Sequence, residues 1–190
     1  YEEYNPATDP RIPAHYSADD PSGKAQCKEA LQKECRFVPD PNTPVMSMIT
    51  RLADQKGLDL VAAIAKKILD LGFQFVVLGT GDPRYEQLFT ELANKNPQQV
   101  KAFIGFDPDL AQRIYAGSDL FLMPSRFEPC GLGQLMALRY GTIPIVRKTG
   151  GLADTIADFS PRTGKGNGFV FEDYDSAELL KAIKRALKAY

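Results

Sequence analysis

PVMSMITRLADQKGLDLVAAIAKKILDLGFQFVVLGTGDP (44–83) holds two short apolar runs, VMSMIT (45–50) and FQFVVLG (73–79), on either side of an amphipathic stretch near Leu58 to Leu71. Runs of that length without polar alternation predict strands buried on both faces, and the longer periodic segment between them predicts a helix, which makes a βαβ unit. The same alternation continues downstream. VKAFIGF (100–106) follows a helix near Arg84 to Asn94, DLFLMP (119–124) follows one at 109–117, and TIPIVR (142–147) follows one at 131–140. GFVF (168–171) follows a short helix at 152–158 and precedes a last one at 176–189. Six strands with intervening helices predict a doubly wound α/β domain over 44–190, because right-handed crossovers place helices on both faces of a parallel sheet. Seven of the 14 prolines lie within the first 44 residues, where the one helix expected spans Gly23 to Cys35. Residues 1–43 therefore read as a lead-in packed on the domain and not as part of its core.

The 190 residues are 44% apolar and 25% charged, with 23 Lys plus Arg against 24 Asp plus Glu, the profile of an ordinary globular chain. A net charge of −1 argues against nucleic acid or an anionic membrane as partner, since counterion release needs a basic surface. No stretch approaches 18 consecutive apolar residues, and the opening segment has neither a basic nor an apolar leader region. A first residue of Tyr rather than Met suggests a piece of a longer protein. Cys27, Cys35 and Cys130 form no C-x-x-C pair, and His15 is the single histidine, so neither a Cys/His zinc site nor a complete nucleophile-His-acid triad is expected. Free thiols fit a reducing compartment, such as bacterial cytoplasm or plastid stroma.

In doubly wound sheets ligands bind beyond the carboxyl ends of the strands, so the chemistry is sought in the strand-to-helix loops. TRLADQKG (50–57) places Arg51 and Lys56 at one loop, a pairing suited to a diphosphate, the alternative being two solvated loop cations. GTGDP (79–83) superficially suggests a dinucleotide fingerprint, but Arg84 stands where the third glycine belongs, and Gly79 and Gly81 read better as a tight turn beside a ligand or neighbouring loop. PSRFEPCGLG (124–133) sets Glu128 on a proline-bounded loop before a helix whose first turn is expected to contain Gly131, Leu132 and Gly133. Amide donors there suit phosphate and a carboxylate beside them suits sugar hydroxyls, while the alternative is that Glu128 simply caps the helix. In KTGGL (148–152), Thr149, Gly150 and Gly151 repeat the glycine-rich device, and Phe106 after the third strand either stacks on a base or belongs to the core.

Taken together, TRLADQKGLDL, VVLGTGDPRYE, IYAGSDLFLMPSRFEPCGLGQLMALRYGTIPIVRKTGGLADT resemble the carboxyl-terminal domain of bacterial glycogen synthases and plant starch synthases, the retaining glycosyltransferases of family 5, over about Tyr4 to Tyr190. The resemblance implies a GT-B fold, two Rossmann-like domains facing across a cleft, of which this chain is the second. It implies that Arg51 and Lys56 meet the donor pyrophosphate, that Glu128, Cys130, Gly131, Leu132 and Gly133 hold donor glucose and phosphate, and that Phe106 stacks on adenine. Gly79, Thr149, Gly150 and Gly151 fall in its other donor-loop signatures. Glucose would pass from ADP-glucose to the non-reducing end of an α-1,4-glucan with retention, without metal or other cofactor.

One position departs from that pattern, and another separates the family from its wider group. Gly133 stands where the family usually has Thr or Asn, and Met136 occupies the place where the wider GT-B group carries a second, ribose-binding Glu. The resemblance also implies an amino-terminal domain, with a Lys-x-Gly-Gly loop and an active-site His, that lies outside these 190 residues. The expected function is that of a donor-binding domain, inactive in isolation. A stand-alone nucleotide- or glucan-binding module and a UDP-glucose-dependent GT-B enzyme are the alternatives.

Overall fold

The computed structural model describes residues 3–190. Six strands, β1 (Val45–Ile49), β2 (Gln74–Gly79), β3 (Val100–Ile104), β4 (Leu120–Met123), β5 (Ile143–Arg147) and β6 (Phe169–Phe171), form one sheet of order β3-β2-β1-β4-β5-β6. Every pairing is parallel. Seven helices accompany them: α1 (Ser22–Glu34), α2 (Leu58–Leu69), α3 (Pro83–Lys95), α4 (Pro108–Gly117), α5 (Gly133–Arg139), α6 (Gly150–Thr155) and α7 (Ser176–Ala189). The strands read as unbroken apolar runs because both faces are covered. Phe75 and Val77 point into the cluster formed with α2, α3 and α7, while Val76 and Leu78 point into the one formed with α1 and α4.

Local chemistry explains where the helices begin. Asp82-Pro83 and Asp107-Pro108 open α3 and α4: each Asp carboxylate accepts an amide of the first turn, from Arg84 and Leu110, both at 2.9 Å, and each proline fills a position that needs no donor. Asp175 caps α7 in the same way.

Three details differ from the sequence reading. Helix α5 starts at Gly133, not within Gly131-Leu132, because Gly131 sits at φ +67°, outside helical space. Helix α6 runs over 150–155 and stops earlier than expected, since Ile156 turns extended and buries its side chain with Val146 and Leu152. Finally, the lead-in contributes to the core. Ile12, Tyr16 and Cys27 pack with Tyr115, Phe121 and Tyr140, and Leu31, Cys35 and Phe37 pack against β1, β2 and α4.

The strand order reverses between β1 and β4. Both strands end at the same edge, so the loops after them diverge to opposite faces and leave a crevice between their starts.

Candidate functional site

That crevice holds three of the predicted residues. The loop after β1 is tied down by Leu52, fully buried, whose N–H donates to Thr80 O (2.9 Å) and whose carbonyl accepts from Asp82 N–H (2.6 Å). Arg51 on one side of this anchor is exposed, with a single long contact from Nη2 to Gln55 Oε1 (3.4 Å). Lys56 on the other side turns inward. A 3-10 turn, Asp54–Lys56, carries it there and ends at Gly57, whose φ is +72°. Any Cβ at Gly57 would lie 2.0 Å from the Pro124 carbonyl oxygen, so only glycine lets the β1 and β4 loops meet.

At that meeting point Lys56 Nζ lies 2.6 Å from Glu128 Oε2. Glu128 is 8% exposed and also accepts from Ser125 Oγ at 3.2 Å. The carboxylate is therefore engaged by a cation and a hydroxyl and not by the amides of α5, whose N-terminal residue Leu132 caps without a side-chain bond. Among the described residues, then, Glu128 is no helix cap. The amides of Gly131, Leu132, Gly133 and Gln134 precede the first helical bond, which Leu135 N–H donates to Leu132 O (3.0 Å), and are available to an anion. Cys130 is exposed beside them as a free thiol, and Leu132 is exposed too.

The glycine-rich loop after β5 has a more specific task than an open phosphate cradle. Gly151 N–H donates to Glu128 O (3.0 Å) and to Pro129 O (3.2 Å), and a Cβ at Gly151 would fall 1.7 Å from Cys130 O. Its glycines thus let the main chain of 128–130 lie directly on α6, with Thr149 at the helix N-cap. Lys148 faces away, paired with Glu172 at 2.6 Å.

In the loop after β2, Gly81 N–H donates to Glu86 Oε1 (2.8 Å), which also accepts from Thr80 Oγ1 (2.6 Å). The amide is engaged, in keeping with a turn and not a dinucleotide fingerprint. Gly79 instead lines a cavity of about 660 Å³ beyond the ends of β1, β2 and β3, together with Arg51, Tyr4, Tyr115 and Met136. Phe106 stands at its rim with 88% of its surface exposed, which removes the core reading for this ring. Tyr4 was not foreseen as a cavity residue, because nothing local to a proline-rich opening signals what it packs on. Gln55 was also missed: its carbonyl accepts from Arg126 N–H (2.9 Å) and its Nε2 donates to Phe127 O (3.1 Å), joining the two loops. Its place between Arg51 and Lys56 was the available signal.

Two cations, a buried carboxylate and glycine-rich loops thus lie at the switch point of a six-stranded parallel sheet, the arrangement of a GT-B glycosyltransferase domain. The chain matches the family described as Glycosyl transferases group 1 over residues 32–190, and it belongs to that family. It is 56% identical over its whole length to the glycogen synthase of Kosmotoga olearia and 56% identical to that of Desulforudis audaxviator. It spans only 40% and 38% of those proteins. The catalytic domain of starch synthase IV from Arabidopsis thaliana, solved bound to ADP and acarbose, superposes with a TM-score of 0.92 at 40% identity, covering all of this chain and 40% of that one. WaaG, a glycosyltransferase of lipopolysaccharide biosynthesis, shares the fold at TM-score 0.70 and 20% identity, over 99% of this chain and 45% of its own. No helix among the described residues is long and apolar enough to cross a membrane.

Proposed function

We propose that this chain is the donor-binding domain of a retaining glucosyltransferase that moves glucose from ADP-glucose to the non-reducing end of an α-1,4-glucan. The observation that carries the reading is the pairing of Lys56 with Glu128 where the strand order reverses, with Arg51 of the same loop lining a cavity that ends at an exposed Phe106. Arg51 and Lys56 supply the countercharge for a diphosphate, helped by the amides from Gly131 to Gly133, so the reading calls for no metal. Phe106 offers a face for the base, and Glu128 accepts hydrogen bonds from glucose hydroxyls. The glycogen synthases and the ADP-bound starch synthase among its relatives support ADP as the nucleotide and glucan as acceptor. A partner domain across the cleft supplies the acceptor side.

Calorimetry with ADP, ADP-glucose and UDP-glucose tests this. ADP and ADP-glucose should bind with UDP-glucose weaker, and Arg51→Ala should weaken both adenine nucleotides about tenfold, the scale of one charge-assisted hydrogen bond. Tighter binding of UDP-glucose would favour a UDP-dependent enzyme, and no binding of any of the three would sink the assignment.

A further inference from the structure

Arg147 ends β5 and reaches across the mouth of the sheet toward the segment that carries Glu128. Its Nε donates to Ser125 O (3.0 Å), its Nη2 to Arg126 O (2.5 Å) and its Nη1 to Glu172 O (3.1 Å). Two consecutive carbonyls are thus held by two donors of one planar fork, a geometry that a lysine cannot reproduce. The held residues lie three and two positions before Glu128, and Ser125 itself donates to the Glu128 carboxylate. From the other side, Gln55 fixes Arg126 N–H and Phe127 O. The main chain from Ser125 to Phe127 is therefore clamped between the β5 end and the β1 loop.

The clamp is braced from outside. The guanidinium groups of Arg126 (4.5 Å from the ring centroid) and Arg147 (5.5 Å) both lie over the Tyr174 ring, whose hydroxyl donates to Asp59 on α2. Burial first, and then that bond, push the Tyr174 hydroxyl above its ordinary range, which keeps it a donor. Arg126 adds a contact to Asp59 at 3.4 Å.

We propose that Arg147 is a positioning residue, which holds Glu128 in place against Lys56 and thereby sets the preference of the site for a sugar-bearing nucleotide over the bare diphosphate. The proposal rests on the reading of Glu128 as the sugar-facing group. It predicts an effect on one ligand and not on the other, whereas loss of general packing would weaken both.

The test uses the 190-residue chain with Arg147→Ala, Arg147→Lys, and Arg147→Ala combined with Glu128→Gln. Arg147→Ala should lower ADP-glucose affinity about tenfold and leave ADP within about twofold, with Arg147→Lys between, because a displaced polar group loses its ligand contact steeply with distance. In the Glu128→Gln background, Arg147→Ala should cause no further loss. Hydrogen exchange of the amides from Arg126 to Glu128 should quicken in Arg147→Ala. Equal loss for both ligands, or a loss that multiplies with that of Glu128→Gln, would overturn the proposal. Should the unaltered chain fail to distinguish ADP-glucose from ADP, the functional reading fails on its own, and exchange still decides the clamp: faster exchange at 126–128 upholds it and unchanged exchange rejects it.

Discussion

Lys56 and Glu128 each have a partner before any ligand arrives, and that partner is the other one. On the proposed reading, a diphosphate at the crevice draws Lys56 toward itself, so that binding exchanges one ion pair for another and releases the carboxylate to sugar hydroxyls. The two subsites are coupled through a single proton-rich nitrogen. Removing either partner should then have opposite consequences. Lys56→Met leaves a nearly buried carboxylate with only Ser125 Oγ, and should destabilise the fold by about 3 kcal/mol, the lower end for an orphaned buried charge. Glu128→Gln frees Lys56 and removes a negative charge near the phosphates, so ADP affinity should not fall while the gain from the glucose moiety disappears. Thermal unfolding and calorimetry on the two variants check this, and a drop in ADP affinity for Glu128→Gln would contradict the exchange.

At the scale of elements, α1 shows how the lead-in is fastened. Lys24 Nζ shares its three N–H donors among Ala116 O (3.0 Å), Ser118 O (2.9 Å), Tyr140 O (2.9 Å) and Thr142 Oγ1 (3.1 Å), joining α1 to the ends of α4 and α5. Tyr16 adds a bond to the same Tyr140 carbonyl, and the Tyr140 hydroxyl donates to buried Asp9 at 2.6 Å. Lys24→Met strands buried oxygens and should destabilise by about 2 to 3 kcal/mol in chemical denaturation. Burial pushes the Lys24 ammonium from 10.5 down to about 8 against the opposing pull of the Asp119 carboxylate. The folded state then releases this proton before the unfolded one, so the contribution of Lys24 to stability should increase from pH 8 toward 10.5. A gap between wild type and Lys24→Met that stays constant between pH 7.5 and 9.5 would refute it. This latch was not legible in the sequence, nor was the Arg147 clamp, because in both cases the partners are main-chain carbonyls far along the chain. What could be read were features with a local cause. Apolar runs marked the six strands, and loops with Arg51, Lys56 and Glu128 fell at strand ends. Helix α5 was begun too early because a left-handed Gly131 leaves the same letters as a helical one.

For the whole molecule, the decisive feature on the proposed reading is that the described residues form one wall of a site. Arg51, Lys56, Glu128 and the amides after it all lie along the carboxyl edge of the sheet, and Phe106, Phe127, Leu132 and Leu135 there are exposed. The fold beneath is self-sufficient, since four apolar clusters cover both faces of the sheet and leave no strand without a helix layer. The 190-residue chain should therefore fold and bind ADP. Transfer asks for more. The acceptor hydroxyl must be held against the anomeric carbon with water excluded, and positioning alone supplies roughly 7 to 11 kcal/mol of barrier reduction. None of the described residues stands opposite Glu128 to do this, and a nucleotide sugar bound on an open edge stays exposed to solvent. The chain spans about 40% of its glycogen synthase relatives, which leaves room in such proteins for the second wall. Incubation of the purified chain with ADP-glucose and a maltooligosaccharide should give ADP binding without elongation. Adding the remaining part of a glycogen synthase relative in trans should restore little, because a cleft assembled from two chains must first meet the entropy of association. Elongation by the chain alone, at a rate near that of an intact synthase, would show that one wall suffices and that the acceptor is positioned by residues already in this sheet edge.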